Sequence, residues 1–445
     1  MEISLSKPKV IILLGSHFHL RSFIACNLYE VLSQSYDPQV LISQDVASKP
    51  ISLDFPFRQY SVPKVANSLF TFLLNVYMLS NFKISSSFRL RLRRSIFGDY
   101  QSFPPIHFGS LIRILVAAFV MITPFKYLLK EVYGRIVERS FRNLMDESNK
   151  YAFIISWAQS LEPNSIAAIK LAKRFNSQSI LVFDNWDNLS SKSVLFEFPS
   201  FIFCFGEQSR DFAHTIHRFP RNRVFPIGSA RFDVYQNMTL KTDRDRKCIL
   251  VAGSSLAMED FSILDALDQI IQDISMNSSL TNYKFVYRPH PAPQGLNVDL
   301  ENWRYDKILL DDPYKLKENQ YSTFAPQESI ASILSKQALV IGSPTTLILE
   351  ALLCKIPVIV PLFGRKGVKT TNELMVRELE HLKHLRYLKN VYFCSDAISL
   401  KKKLIRLVES QSSFDEDEEV EHVVTTKPGS FSERFVLQLD SLQKL

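Results

Sequence analysis

The chain has 445 residues, which is enough for two or three domains. Hydrophobic residues make up 46% of it and charged residues 22%, proportions that are ordinary for a globular protein and exclude general disorder. The net charge of +8 comes without any recognisable RNA- or DNA-binding motif, so we expect no nucleic-acid partner.

The cysteines and the first apolar run indicate where in the cell the protein is expected. Five cysteines are scattered without CxxC or metal-ligand spacing, which fits reduced thiols in a cytosolic protein. The first apolar run, residues 10–14, is too short for the core of a signal peptide. We therefore expect a cytoplasmic protein. No Asp-x-Asp metal site is apparent, so we expect neither a metal nor another cofactor.

Strand and helix patterns alternate through the first half of the chain. A continuous apolar strand at 9–16 ends in Gly-Ser, and a helical stretch begins near Leu20. Further strands are predicted at 39–43, 151–157, 179–184, 201–206 and 223–229. Apolar strands separated by helices are typical of parallel βαβ units.

A basic and apolar region interrupts this alternation. Residues 81–150 contain 12 Lys/Arg and 5 Asp/Glu, a local balance of +7. The sequence FRLRLRRS at 88–95 alternates cations with apolar residues, and ILVAAFVMITPF at 114–125 is uncharged but shorter than the about 20 residues that span a bilayer. Three interpretations remain open: a buried helix, contact with an anionic membrane surface, and nucleic-acid binding. The arginines predicted to face lipid are Arg91, Arg93 and Arg94.

The domain boundary is predicted at a polar stretch. Residues 236–247 have no apolar periodicity and are interpreted as a linker, after which the strand–glycine–helix pattern restarts. The predicted domains are therefore residues 1–235 and 248–445. Two α/β halves in series predict two Rossmann-like domains facing a cleft, with ligands beyond the carboxyl ends of the strands.

The segment YRPHP, residues 287–291, follows a strand predicted at 283–287. Each proline fixes its own φ and restricts the residue before it, so Arg288 and His290 lie on stiff backbone. From these residues alone, a rigid surface loop and an anion-binding pair remain equal alternatives.

A second informative segment lies at 338–361, where a predicted strand ends at Gly342. Ser343 suits the N-cap of the next helix and Pro344 its first turn. A helix start suits a phosphate, because it presents free N–H groups and the positive end of the dipole. An ordinary capped helix is the alternative.

Together these segments resemble the GT-B glycosyltransferases. More narrowly, the chain resembles bacterial surface-polysaccharide transferases with an HP motif, related to capsule, Kdo, sialyl and glycerol-phosphate transferases. The motifs that carry the resemblance are RPHP at 288–291, GSPTT at 342–346, EA at 350–351, FDNWDNL at 183–189 and IGSARFD at 227–233. The resemblance covers most of residues 150–362.

The resemblance implies an activity and a set of donor-binding residues. The protein would move a sugar from a CMP- or nucleoside-diphosphate-linked donor to a growing, lipid-linked surface glycan, without a metal and at the inner face of the cell membrane. Arg288 and His290 would stabilise the leaving phosphate. The other phosphate contacts implied are Ser343, Thr345 and Thr346, and those assigned to the ribose and base are Glu350, Gly253 and Ser254. No pair of glutamates seven apart surrounds Glu350, unlike many retaining GT-B enzymes.

Catalytic and acceptor residues are expected on loops of the first half. His17, in the loop after the first strand, is the predicted general base, since histidine titrates near neutral pH, and Asp187 is the reserve. The residues assigned to the acceptor are His19, Asp184 and Trp186. An Asx-turn with Trp186 in the core is the alternative for the segment 183–192.

Two other functions remain open. A sugar-nucleotide 2-epimerase shares the two-domain cleft and would need several carboxylates and histidines around one sugar. A non-catalytic glycan or membrane adaptor would keep the fold without the chemistry, and intact Arg288 and His290 argue against it.

Overall fold

The computed structural model describes residues 7–47, 53–97, 108–236, 246–254, 258–273, 278–290, 303–311, 327–364, 370–409, 414 and 418–444. The described residues divide into two compact units. Those up to Asp233 and from Glu421 onward form the first unit, and those from Val234 to Val420 form the second.

The first unit is built on a seven-stranded sheet. Its strands are β1 (Lys9–Leu14), β2 (Asp37–Ser43), β3 (Phe57–Tyr60), β4 (Tyr151–Trp157), β5 (Gln178–Phe183), β6 (Phe201–Cys204) and β7 (Val224–Pro226). They lie in the order β3-β2-β1-β4-β5-β6-β7, and every neighbouring pair is parallel. The α/β alternation predicted from the apolar runs is confirmed here.

Helices connect these strands. They are α1 (His17–Ala25), α2 (Leu28–Ser35), α3 (Gln44–Ala47), α4 (Lys64–Ser80), α5 (Ser86–Phe97), α6 (Phe108–Ile122), α7 (Phe125–Arg142), α8 (Pro163–Arg174), α9 (Glu207–Thr215) and α10 (Asp233–Gln236). The division between the two units falls within α10.

The second unit has a six-stranded sheet. Its strands are β8 (Cys248–Ala252), β9 (Lys284–Arg288), β10 (Ile308–Leu310), β11 (Gln337–Gly342), β12 (Val358–Pro361) and β13 (Val391–Cys394). Its helices are α11 (Met258–Gln272), α12 (Gln327–Leu334), α13 (Leu347–Leu353), α14 (Thr371–Glu378), α15 (Glu380–Lys383) and α16 (Ala397–Glu409). All neighbouring strands are parallel in the order β10-β9-β8-β11-β12-β13, which is the Rossmann arrangement.

Both sheets therefore contain a point where the direction of winding reverses. In the first sheet it lies between β1 and β4, and in the second between β8 and β11. The connections that leave the two central strands diverge there, which opens a crevice beyond their carboxyl ends. The sequence predicts that the chemistry lies in loops that follow strands. The topology points first to the loops after β1 and β4 in the first sheet and to those after β8 and β11 in the second.

The core of the first unit lies on both faces of its sheet. Ile11 and Leu13 of β1 pack on the side of α4, α7 and α8, while Val10, Ile12 and Leu14 face the opposite side. Burial on both faces explains why β1 reads as a continuous apolar run. The opposite side is covered by α1, α2 and the last helix of the chain, α18 (Phe431–Gln443), which follows the short helix α17 (Glu419–Val423).

The assignment of 248–445 to one domain is wrong for residues 421–445, because they pack in the first unit. Phe435 stacks on Trp157, with ring centroids 5.7 Å apart, and meets Phe203 edge-on at 5.1 Å. Arg434 donates to the Ile227 carbonyl at 2.9 Å and to Asp233 Oδ1 at 3.1 Å. Phe431, Phe435 and Leu439 of this segment cover part of the apolar face of the first sheet. Of the predicted linker 236–247, residues 237–245 lie outside the described part.

We predict that Phe435→Ala lowers the free energy of unfolding of the first unit by about 3–5 kcal/mol, the usual cost of truncating a buried phenylalanine. Leu437→Ala, on the exposed side of the same helix, should change it by less than about 0.5 kcal/mol. Urea unfolding followed by tryptophan fluorescence measures both. Equal midpoints for Phe435→Ala and the wild type would show that α18 is not part of this core.

Candidate functional site

Loops after three neighbouring strands of the second unit meet at one edge of its sheet. Gly253 and Ser254 follow β8, His290 follows β9 and Ser343 follows β11; we call these four residues the second-unit edge. The backbone N–H of Gly253 donates to the Arg288 carbonyl at 2.8 Å. The segments that the sequence analysis singled out at 287–291 and 342–346 therefore belong to one site.

Two glycines are required by the close approach of these loops. A Cβ on Gly253 would lie 2.9 Å from both His290 N and Tyr287 Oη, and one on Gly342 would lie 3.0 Å from the Ala252 carbonyl oxygen. Contacts of that length are tighter than a side chain tolerates. In a chain with only 12 glycines, two of them thus allow the loops of the second-unit edge to pack closely.

A buried carboxylate that the sequence analysis missed holds the first loop in place. Asp260, in the first turn of α11, accepts hydrogen bonds from Ser254 N at 2.9 Å and Ser254 Oγ at 3.0 Å. It also accepts from the Tyr287 hydroxyl at 2.9 Å. The signal was present in the sequence, since an aspartate six residues after a strand-ending Gly-Ser is well placed to cap that loop.

The Arg288 side chain forms an ion pair at the end of β9. Its Nη1 lies 2.6 Å from Asp311 Oδ2, and both side chains are partly exposed. Asp311 follows β10, the neighbouring strand. An exposed pair of this kind contributes little to stability, so its charges remain able to exchange partners. His290 lies two residues further on and is half-buried.

The predicted N-cap role of Ser343 is wrong. Residues 343–346 form a turn, Ile348 N donates to the Thr345 carbonyl at 3.1 Å, and α13 begins only at Leu347. Thr346 precedes the helix without a side-chain capping bond. Ser343 is 7% exposed, and within the part of the chain that the structure describes its Oγ has no hydrogen-bond partner. A buried hydroxyl left unpaired costs about 1–3 kcal/mol, which a ligand acceptor would recover.

Glu350, predicted to reach a ribose, is buried on α13. Its Oε2 accepts a hydrogen bond from the Tyr235 hydroxyl at 2.9 Å. The side chain therefore ties α13 to the segment that enters the second unit, and its position relative to a ribose stays a prediction.

Two residues of the first unit that were assigned to the acceptor have side chains inside the core. His19 is 2% exposed, and burial lowers its pKa to about 3, so the imidazole stays neutral. Trp186 is also 2% exposed and donates from Nε1 to Gln208 Oε1 at 2.8 Å. The packing alternative for Trp186 is the one that the structure supports.

The carboxylates after β5 have defined partners. Burial raises the pKa of Asp184, against the opposing effects of a hydrogen bond from Ser22 and the charge of Arg231. Asp187 Oδ2 lies 2.9 Å from Lys192 Nζ. Both aspartates follow the carboxyl end of β5, as predicted, but the ion pair of Asp187 with Lys192 was not foreseen.

The loop after β1 packs against the start of α8, which follows β4, at the reversal point of the first sheet. A Cβ on Gly15 would lie 2.7 Å from Asn164 Oδ1, and Asn164 Nδ2 donates to Ser156 Oγ and to the Trp157 carbonyl, both at 2.9 Å. His17, the predicted base, is the first residue of α1 and is half-buried.

Glu162 lies two residues before Asn164 and was missed by the sequence analysis. Burial raises its pKa from 4.5 to about 7, against a hydrogen bond from the Gln159 backbone N–H and the charge of Lys192. Its position between a buried strand and a proline-started helix was visible in the sequence, but its burial was not.

Helices α6 and α7 expose large apolar side chains. On α6, Ala117 and Val120 pack against Val76 of α4. The exposed apolar side chains are Ile112, Leu115, Val116, Phe119 and Ile122 on α6 and Phe125, Tyr127 and Leu128 on α7; we call them the apolar α6–α7 face. Phe119 is 60% exposed and Ile122 76% exposed, so the interpretation of 114–125 as a buried helix is wrong.

The arginines predicted to face lipid lie on the neighbouring helix α5. Arg91 is exposed but donates from Nη1 to the Ser191 carbonyl at 3.0 Å, and Arg93 is exposed. The Arg94 side chain lies outside the described part. Among the described helices, none has the length and apolar character needed to cross a membrane. The described residues also contain no group of three or more His, Cys, Asp or Glu that could hold a metal ion.

Comparison with known proteins assigns the fold. No protein-family model matches the chain, and no curated protein matches it. A structure assigned as a UDP-N-acetylglucosamine 2-epimerase from Listeria monocytogenes matches with a TM-score of 0.51 and 11% identity, covering 98% of this chain and 97% of the other. UDP-GlcNAc 2-epimerase from Methanocaldococcus jannaschii matches with a TM-score of 0.50 and 12% identity, over 97% and 99%.

Glycosyltransferase structures also match, among them MurG from Acinetobacter baumannii, with a TM-score of 0.46, 11% identity and coverage of 98% and 100%. The fold assignment rests on the two epimerase structures, whose similarity extends over nearly the whole chain. The protein has the GT-B fold, with two parallel-sheet α/β domains.

Proposed function

We propose that this protein is a glycosyltransferase that moves a sugar from a nucleotide-activated donor, CMP- or nucleoside-diphosphate-linked, to a growing lipid-linked surface glycan, without a metal. The observation that carries the proposal is the second-unit edge. There, the closely packed backbone at Gly253, the half-buried side chain of His290 and the Ser343 hydroxyl, which has no partner among the described residues, follow three adjacent strands.

This combination suits a phosphate bridge. A phosphate oxygen needs hydrogen-bond donors that are already in place and can approach it without a side chain in between. Gly253 and Gly342 let the loops at this edge pack closely, and Asp260 keeps Ser254 fixed. Ser343 Oγ lacks a partner among the described residues, so donating to a phosphate oxygen costs no existing bond.

The leaving group would be stabilised by positive charge. As the bond between the sugar and the phosphate breaks, negative charge grows on the phosphate. Arg288 is the last residue of β9 and His290 follows it, at the edge where the phosphate would bind. Arg288 would turn from Asp311 toward the phosphate, or remain paired and act through its backbone position. Thr345 and Thr346 follow Ser343 in the same turn and are half-buried, which keeps their proposed phosphate contacts open.

The nucleoside would lie further along the same edge. Gly253 and Ser254 form the loop after β8. Glu350 lies on α13, where its carboxylate accepts a hydrogen bond from the Tyr235 hydroxyl. A glutamate fixed by one hydrogen bond still has lone pairs for a ribose hydroxyl. On the acceptor side, His17 and Asp187 are the sequence-derived candidates for the base, and Asp184 the candidate for holding sugar hydroxyls.

The epimerase and the adaptor predict different products. An epimerase changes the configuration of the donor sugar without an acceptor, whereas a transferase releases nucleotide only when an acceptor is supplied. An adaptor binds glycan or membrane without either reaction. The surface-polysaccharide acceptor rests on the HP-motif resemblance at 288–291, and the sugar class is to be identified by screening CMP, UDP and GDP conjugates.

We predict that Ser343→Ala weakens binding of the nucleotide that the wild type binds by roughly 10- to 100-fold, because a hydrogen bond to a charged group is worth about 1.5–3 kcal/mol. The ligand-free variant should unfold at the same temperature as the wild type or higher, since the lost hydroxyl has no described partner. Calorimetric titration and thermal unfolding measure the two effects. His290→Ala should lower turnover by about 10²–10³-fold.

The matched control is Ser335→Ala, a serine in the turn between α12 and β11, whose Oγ donates to the Ser332 carbonyl. It should leave nucleotide affinity unchanged. Normal affinity in Ser343→Ala together with normal turnover in His290→Ala would refute the phosphate site.

We also propose that the apolar α6–α7 face rests on the inner surface of the cell membrane. Residues 100–130 contain no acidic side chain. The exposed cations Arg89 and Arg93 lie on α5 and the exposed Lys83 just before it, and the half-buried Lys126 lies on α7. Large apolar side chains beside cations match an interface of anionic lipid. The α5 arginines would then attract the anionic lipid headgroups, and the side chains of Phe119 and Ile122 would insert into the membrane surface.

We predict that the protein floats with vesicles containing phosphatidylglycerol and that flotation falls with salt, since salt screens attraction to anionic lipid. Phe119→Glu combined with Ile122→Glu should reduce partitioning by roughly tenfold or more, because burying such a side chain is worth about 1.5–3 kcal/mol. Replacing Arg89 and Arg93 by glutamate should weaken the component of vesicle binding that depends on salt.

Leu437→Glu is the control, since this leucine is exposed on α18 of the same unit and lies outside the apolar α6–α7 face. It should float like the wild type. Flotation that is absent on anionic vesicles, or equal in the Phe119/Ile122 variant, would remove the membrane from the proposal.

A further inference from the structure

Glu162 lies at the reversal point of the first sheet, where a ligand crevice is expected. It follows β4, and the loop after the adjacent strand β1 contacts Asn164 two residues later. The contact is fixed from both sides, because Gly15 has no room for a Cβ and Asn164 donates to Ser156 Oγ and the Trp157 carbonyl. A carboxylate here is held on rigid backbone at the carboxyl edge of two central strands.

The carboxylate is surrounded mainly by groups that do not favour its charge. Tyr60 of β3 and Tyr133 of α7 interact with it electrostatically, and Lys192, beyond β5, is the cation that acts on it. Burial is the largest effect and raises the pKa of Glu162 to about 7. A carboxylate that titrates near neutral pH can both accept and release a proton at working pH.

Polar groups with unused hydrogen-bonding capacity lie on the same loops. Ser160 Oγ, on the loop before Glu162, and Asn188 Oδ1, on the loop after β5, are buried and have no partner within the described residues. Asn188 Nδ2 donates to the Ala158 carbonyl at 3.1 Å, which joins the loops after β4 and β5. Buried polar atoms are normally paired, so a hydroxyl-rich ligand is a natural partner for this edge.

We propose that Glu162 is the general base that activates the acceptor hydroxyl, an inference that rests on the proposed transferase function. The acceptor O–H gives its proton to the Glu162 carboxylate while its oxygen bonds to the anomeric carbon of the donor sugar. The bond from that carbon to the nucleotide phosphate oxygen breaks, and its electron pair leaves with the phosphate. The acceptor class is therefore a sugar hydroxyl, bound at the β1–β4–β5 edge.

Glu162 suits this role better than the two residues suggested by the sequence. His17 would have to become a cation in the first turn of α1, where the helix dipole opposes positive charge. Asp187 already has its charge matched by Lys192 at 2.9 Å. Glu162 carries no side-chain capping bond to α8, so replacing it by glutamine removes a base without removing a helix cap.

The test is the pH dependence of turnover at saturating donor and acceptor for wild type, Glu162→Gln and Glu162→Asp. Wild-type turnover should rise about tenfold per pH unit below the pKa of the base and level off above it, because only the ionised carboxylate accepts a proton. Turnover by Glu162→Gln should be roughly 10²–10⁴-fold lower than that of the wild type. The acidic limb of its pH profile should also disappear. Glu162→Asp should keep part of the rate, and added formate should restore part of the rate of Glu162→Ala.

Nucleotide affinity and the thermal midpoint should be unchanged in Glu162→Gln, and Glu30→Gln, an exposed glutamate of α2, should match the wild type throughout. Turnover by Glu162→Gln at the wild-type rate, or an acidic limb that disappears instead in His17→Ala or Asp187→Asn, overturns the assignment while the transferase stands. A wild type that binds no nucleotide and transfers no sugar overturns the proposed function, and this inference with it.

Discussion

Parallel pairing of the strands is the constraint on which the rest of the structure depends. Because every strand of a sheet runs in the same direction, loops from residues far apart in the chain meet at one edge. Gly253, His290 and Ser343 become neighbours in this way in the second unit, and Gly15, Glu162 and Asp187 follow adjacent strands in the first. The same pairing buries both sheet faces, so apolar strands and polar strand ends are two consequences of one arrangement.

Covering both faces also explains the path of the end of the chain. The first sheet needs an apolar layer beside α1 and α2, and Phe431, Phe435 and Leu439 of α18 provide it. The strands themselves could be predicted from sequence, because apolar runs such as Lys9–Leu14 have a local signal. The return of α18 could not, since an amphipathic helix does not record which sheet its apolar side meets.

The site was predictable only as far as local rules reach. The proline-bracketed His290 lies directly after β9, as its motif suggested, because proline acts on neighbouring backbone. Trp186 and His19 were assigned to the acceptor and lie in the core, since burial is decided by contacts distant in sequence. For the same reason the uncharged stretch of α6 could not be divided into buried Ala117 and exposed Phe119.

The buried Asp260 and the half-buried Glu162 show how the surroundings separate a structural carboxylate from a reactive one. Asp260 and Glu162 each lie beyond a central strand of their sheet, near the reversal point. Asp260 accepts hydrogen bonds from Ser254 N, Ser254 Oγ and the Tyr287 hydroxyl, and these bonds hold the loop after β8. Glu162 receives one backbone bond and a more distant cation, and burial therefore raises its pKa toward neutrality. A carboxylate left short of partners at a strand end remains able to exchange a proton, and that difference makes Glu162 the chemical group and Asp260 the scaffold.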